Sequence, residues 1–232
     1  MKKLILLTVF AALAMPQAVQ ADLLAGWDTF TNPDNGTVNS ATTTLAGFSG
    51  GAVTDTNVWG QTTTGGLAGN TFGALTTPLA GAGSHLSLNN TATGFVDFTV
   101  TNSSGSDYDL DFFHVDLGTT RPGAADSFTL SVESGPLSLG TVTSGVNPNG
   151  MSGTALWTDY DLALSGLADN TLETGQTAVF RLTFAQDSFQ GPAGHHQYVD
   201  NIALSGTEVV PEPSSLALLG LAGFGMLVRR RK

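Results

Sequence analysis

Three aspartates alternate in the run Ser-Asp-Tyr-Asp-Leu-Asp, at Asp107, Asp109 and Asp111. Carboxylate oxygens are what a hard cation such as calcium takes as ligands, at about 2.3–2.6 Å. On a regular strand the three share one face, with neighbours about 6.6 Å apart. They cannot all reach one ion unless the strand curls. The glycine and distal glutamate of a helix-loop-helix calcium loop are missing here. The pattern therefore reads first as the solvated start of a strand, with a bound calcium as the alternative. Asp200, in Val-Asp-Asn-Ile-Ala-Leu, shares the parity of Ile202 and Leu204. If those two face a core, Asp200 is buried or lies at a bulge, and a buried carboxylate needs a partner. A hydrogen-bonded clamp on a loop, through Asn201, is preferred over a structural calcium at the sheet edge.

Other chemistry is sparse. His195 and His196 are adjacent in a glycine-rich stretch, so on an extended chain they point apart, and they read as an exposed loop. His114 lies in Phe-Phe-His-Val and reads as a satisfied core histidine. With no cysteine, thiol catalysis, zinc-thiolate sites and iron–sulfur clusters are excluded. No Gly-x-Ser-x-Gly elbow, His-Glu-x-x-His helix or phosphate-binding glycine loop is present. Glycoside hydrolysis needs two carboxylates about 5–10 Å apart across a cleft, and no local spacing singles out a pair. The aromatic residues Trp27, Trp59, Trp157, Tyr108, Tyr160 and Tyr198 could offer a sugar-stacking platform, with Trp59, Trp157 and Tyr160 as its candidates. In a sandwich most of the six would instead fill the core. No catalytic residue emerges, and the expectation is a protein without enzymatic activity.

These residues need a scaffold, and the chain between its two ends supplies one. Asp22–Glu208 alternates apolar and polar residues in short runs: Phe95–Val100, Ser127–Val132 and Val179–Phe184 are the clearest. Further strands are expected at Leu23–Asp28, His85–Leu88, Leu110–Leu117, Leu139–Thr143, Tyr160–Leu164 and Val199–Ser205. Turn residues separate them, as in Asn102-Ser103-Ser104-Gly105 and Asn147-Pro148-Asn149-Gly150. Pro33–Ala82 is rich in Thr, Gly and Asn and reads as long loops around short strands. No helix-period segment and no repeat stands out. The expected fold is all-β, a jelly-roll-like β-sandwich in one domain.

Within Asp22–Glu208 there are two basic residues, Arg121 and Arg181, against eighteen carboxylates, a formal charge of −16. Such a body cannot neutralise a row of phosphates, so no nucleic-acid partner is expected. The acidity reads as solubility, with divalent cations as the sharper alternative.

The ends are different. Met1–Ala21 has a basic start, the apolar run Leu4–Ala14 and a small-residue site before Asp22. That is the three-part pattern of a secretory signal, cut by signal peptidase between Ala21 and Asp22. Residues 209–232 carry Pro211-Glu212-Pro213, the apolar run Leu216–Val228, and Arg229, Arg230, Arg231 and Lys232. The run spans roughly 20 Å as a helix, short of a bilayer core of about 30 Å. Extending it to Ser214 with snorkelling arginines narrows the gap, and the basic cluster should stay cytoplasmic.

This three-part tail resembles the PEP-CTERM sorting signal of Gram-negative bacteria, which also goes by the name ice-binding protein C-terminal domain. The resemblance covers Val210–Lys232. It implies processing near Pro211-Glu212-Pro213 by an exosortase, a transient stay in the inner membrane, and delivery to the cell surface or matrix, in association with exopolysaccharide or biofilm. The runs YDLDFFHVDL, FTLSVESG, WTDYDLALSGL, TAVFRLTFA and YVDNIALSG also resemble, loosely, secreted jelly-roll modules. The combined expectation is a structural or adhesive surface protein in extracellular polysaccharide. A carbohydrate-binding module is the alternative, and a polysaccharide hydrolase the third.

Overall fold

The computed structural model describes residues 21–30, 40–56, 58–62, 66–69, 71–75, 85–89, 94–119, 124–125, 127–146, 156–185 and 196–210. The expected signal and C-terminal helices, with Pro211, Glu212, Pro213 and Arg229–Arg231, lie outside them. Among the described residues every regular element is a strand, and no helix is long and apolar enough to cross a membrane.

The strands are β1 Asp22–Trp27, β2 Thr43–Thr44, β3 Phe48–Gly50, β4 Thr54–Thr56, β5 Val58–Thr62, β6 His85–Asn89, β7 Gly94–Asn102, β8 Tyr108–Thr119, β9 Ser127–Ser134, β10 Gly140–Val146, β11 Leu156–Ala163, β12 Thr171–Leu172, β13 Thr177–Ala185 and β14 His196–Glu208. They form two antiparallel sheets. The larger runs β11-β8-β14-β1-β2, with β12 beside β8 and β6, then β5, beside β14. The smaller runs β10-β9-β13-β7-β3, with β4 beside β7. The sheets face each other as a β-sandwich. The Thr- and Gly-rich stretch contributes the short strands β2 to β5.

Alternation explains the layers. In β7, Val96, Phe98 and Val100 are buried while Phe95, Asp97 and Thr99 are half-exposed, and β13 repeats this with Phe180 and Leu182. Side chains of opposite parity must face opposite sides of a pleated strand, so each sheet buries one face. Phe98 lies at the centre, with ring centroids 5.4 Å from Trp27 and 5.8 Å from Phe113. Trp27 is buried and donates from Nε1 to the Gly51 carbonyl. On the outer face of the smaller sheet, Arg181 forks onto Asp97 at 2.7 and 2.8 Å, lies over the Phe95 ring and reaches Glu133.

Two bulges reset the parity between β8 and β14. The β8–β14 register slips between Ser205 and Gly206, opposite Phe112 and Leu110, and again between Asp200 and Ala203. At the second bulge Asn201 has φ 45°, the left-handed region that asparagine tolerates better than most residues. The extra residue lets Ile202 and Leu204 face the core while Asp200 turns to the outer face. Strand β11 begins four residues before the expected Tyr160, which places Trp157 on a strand.

Candidate functional site

The outer face of the larger sheet gathers the chemistry-bearing side chains in rows across β11, β8 and β14. Trp157 and Tyr198 both pair with Gly118, one from each side. Asp159 and Asp200 both pair with Asp116. Asp161 and Ala203 both pair with His114. These rows follow from spacing: Trp157, Asp159 and Asp161 are two residues apart, as are His114, Asp116 and Gly118, so each set projects from one side.

In the first row the two aromatic rings are stacked, with centroids 6.0 Å apart and planes at 29°. Both residues are half-buried. Gly118 makes the arrangement fit, because a Cβ there would sit 2.6 Å from the Trp157 indole. Gly118→Ala is therefore expected to cost about 1–3 kcal/mol through overpacking, read as a lower urea midpoint together with altered tryptophan emission. An unchanged midpoint and spectrum would mean that the indole does not lie on this glycine.

The second row is acidic and closed over. Asp116 is 2% exposed and Asp200 1%. Asp200 accepts from Leu67 N–H and Asn201 N–H, both at 2.9 Å. Asp116 accepts from Asn201 Nδ2 at 2.9 Å. Burial, only partly offset by these donors, pushes both carboxyls up to about 7. Nearby charge adds to it, from Asp159 and Asp161 at Asp116, and from Asp116 and Asp28 at Asp200. Burial also raises Asp159, helped by Asp161 and opposed by His114 and a backbone hydrogen bond from Leu75. The cover comes from residues 66–69 and 71–75. Thr71 receives Asn201 Nδ2 at 3.4 Å, Phe72 lies on Gly26, and Gly73, at φ +74°, sits on His114 and Asp161.

In the third row His114 bridges Asp161 Oδ1 from Nδ1 at 2.5 Å and Ser205 Oγ from Nε2 at 2.9 Å. The connectivity is that of a serine–histidine–carboxylate relay. Ser205, however, is 7% exposed in the middle of β14, between β1 and β8. Backbone N–H groups on such a strand belong to the ladders, not to an oxyanion. The relay orients three strands.

The other sequence candidates are spread over the fold. Asp107 accepts from Thr174 N–H, Asp109 from Thr171 Oγ1 and Asp111 from Thr207 Oγ1. Each carboxylate holds a different segment, so the three do not converge, and the expected shared face is broken by the bulge near Asp111. Asp200 does clamp a loop, through Leu67. His114 is satisfied, but on the outer face instead of in the core. Tyr160 packs edge-on against Phe128, with centroids 4.9 Å apart, and its hydroxyl donates to the Val146 carbonyl, so it belongs to the sandwich rim and not to the platform. Trp59 lies in β5 with its side chain outside the described residues, as do His195 and the His196 side chain. Ala21 and Asp22 are exposed where β1 begins. Among the described residues no group of three or more His, Asp or Glu side chains is placed to hold a metal ion. Asp116, Asp159 and Asp161 were not singled out by the sequence, and Tyr198 was named only among the six aromatic residues. The outward parity of Trp157-Thr-Asp159-Tyr-Asp161 was the available signal.

The family description "PEP-CTERM protein-sorting motif" matches residues 209–232. No curated protein matches the chain. Among solved structures, a family 11 carbohydrate-binding module from Clostridium thermocellum, in complex with a beta-1,3-1,4-mixed-linked tetrasaccharide, is similar at 14% identity and TM-score 0.34, over 79% of this chain and 96% of that one. The family 11 module of the cellulosomal cellulase Lic26A-Cel5E of the same organism aligns at 12% identity and TM-score 0.32, over 85% and 99%. The module TmCBM61, in complex with beta-1,4-galactotriose, aligns at 12% and TM-score 0.29, over 66% and 80%. The chain thus joins an all-β sandwich to a PEP-CTERM sorting motif, which marks an exported protein processed by an exosortase at the membrane.

Proposed function

We propose that this is a non-enzymatic protein of the cell surface or matrix, structural or adhesive within extracellular polysaccharide, and that it meets the polysaccharide on the outer face of its larger sheet. The observation that supports this is the half-exposed Trp157–Tyr198 pair, stacked on Gly118 one row from Asp159. Aromatic faces give apolar contact to a pyranose ring, and carboxylates accept from its hydroxyls. A dedicated carbohydrate-binding module is the second reading, favoured by the same pair. The body's charge argues against acidic polymers and for neutral glycans.

The test is a glycan array on purified Asp22–Val210, run with calcium and with chelator. Trp157→Ala is expected to weaken binding to a neutral glycan by about ten-fold or more, the loss of about 1.4 kcal/mol or more, while leaving the unfolding free energy from urea titration within about 1 kcal/mol. Binding that survives this change undiminished would remove the face from the argument, and loss of binding with chelator would show that recognition needs a divalent cation.

A further inference from the structure

We infer that the sandwich, while its tail is held by the membrane, stands with the Trp157–Tyr198 face at its far pole, so that it presents that face to neutral glycan polymer roughly 30 Å above its tether. This rests on the proposed use of that face, but it is carried by strand directions. Strand β14 leads into the sorting motif, and its last residue, Glu208, pairs with Tyr108 at the start of β8. Asp22, the first residue of β1, pairs with Gly206. Both connections toward apolar terminal segments therefore leave from one pole. At the other end of the same strand, Tyr198 pairs with Gly118. Ten residue steps separate Tyr198 from Glu208, and at about 3.3 Å each they span roughly 30 Å, allowing for the two bulges.

The tethered pole also carries the charge that keeps it upright. Asp22, Glu173 and Glu208 are exposed there, with Asp107 and Asp109 half-buried beside them. Thr174 and Val209 both bond Asp107, and Thr171 bonds Asp109, so these groups belong to one stitched end of the fold. Anionic headgroups repel such an end over a Debye length of about 8–10 Å. Lying flat would require a basic flank. Arg181 is engaged by Asp97 and Glu133, and the sandwich has only one other basic residue, Arg121.

The chain has no cysteine, so single labels are clean. Val146 is 75% exposed, and it shares a row with Ser127 and Ala185, at the end of the smaller sheet away from Thr177. Val209 is 39% exposed at the tether. Val146→Cys and Val209→Cys are made in the full chain lacking only residues 1–21, labelled with bimane, and reconstituted in vesicles of mixed neutral and anionic lipid with a headgroup nitroxide as contact-range quencher. Strong quenching at 209 with little at 146 is the expected result, in protein that co-floats with the vesicles and still binds the array-positive glycan. Equal quenching at both positions, or failure to co-float, overturns the orientation. Correct quenching with no glycan bound would leave the orientation standing and remove the polysaccharide reading beneath it.

Discussion

Between about pH 4 and about pH 7 the folded sandwich is expected to lose about 4 kcal/mol of stability through the Asp116–Asp200 pair. Both carboxyls are pushed up to about 7 in the fold, chiefly by burial, from an ordinary value of 3.8. The native state therefore holds protons that the unfolded chain has already released. Stability falls as pH rises wherever the native state binds more protons. The contribution is fully present below the unfolded value and is lost as pH climbs through about 7. A shift of about three units corresponds to about 4 kcal/mol at about 1.36 kcal/mol per unit. The two groups are adjacent and titrate as a pair, so the total is not simply doubled. Among the described residues the only arginine, Arg181, lies on the other sheet, and the groups that lower the two carboxyls there are Asn201 and the Leu67 and Asn201 N–H donors. The measurement is urea unfolding of Asp22–Val210 across this range. Asp116→Asn keeps an oxygen for Asn201 Nδ2 and offers an amide hydrogen toward Asp200. It should flatten much of the slope and raise stability above pH 7, with little effect at pH 4. A mutant whose slope matches the parent would show that the pair is ionised at ordinary pH.

Phe98→Ala is expected to lower stability by about 3–5 kcal/mol, the range for an aromatic residue removed from a packed core. Phe98 is fully buried and touches Trp27 from the larger sheet's β1 and Phe113 from its β8, while sitting on β7 of the smaller sheet. The cavity would open between the sheets, where neighbouring side chains from both layers can collapse only partly. Urea midpoints at pH 5 measure it. A loss below about 1 kcal/mol would mean that the two layers do not share this residue as their central contact.

Much of the scaffold could be read from alternation. β7, β9 and β13 fall where the apolar period of two predicts them, because each buries one face and leaves the other in solvent. The strands of the larger sheet were harder. β8 runs beyond the expected Leu117 through Gly118 and Thr119, and both are buried because the strand lies inside the sheet, with β11 and β14 on either side. β11 was expected to begin at Tyr160, since Trp157-Thr158-Asp159 has no second apolar residue to mark a strand. The bulge at Asn201 was one of two ways to reconcile Asp200 with its apolar neighbours. The structure has both: the bulge, with Asn201 at φ 45°, turns Asp200 to the outer face, and Asp200 is buried there.

By itself the sequence determined the features that depend on order along the chain: a sandwich-forming run of alternating strands, a strongly acidic body, and a sorting motif at residues 209–232. Local spacing is enough for these, since parity, net charge and a linear motif need no partner from elsewhere. Tertiary structure alone decided that Trp157 and Tyr198 meet over Gly118, that Asp116 faces Asp200, and that Leu67 covers them. Those contacts join residues dozens of positions apart. Strand order creates them, and it leaves no mark in the local composition.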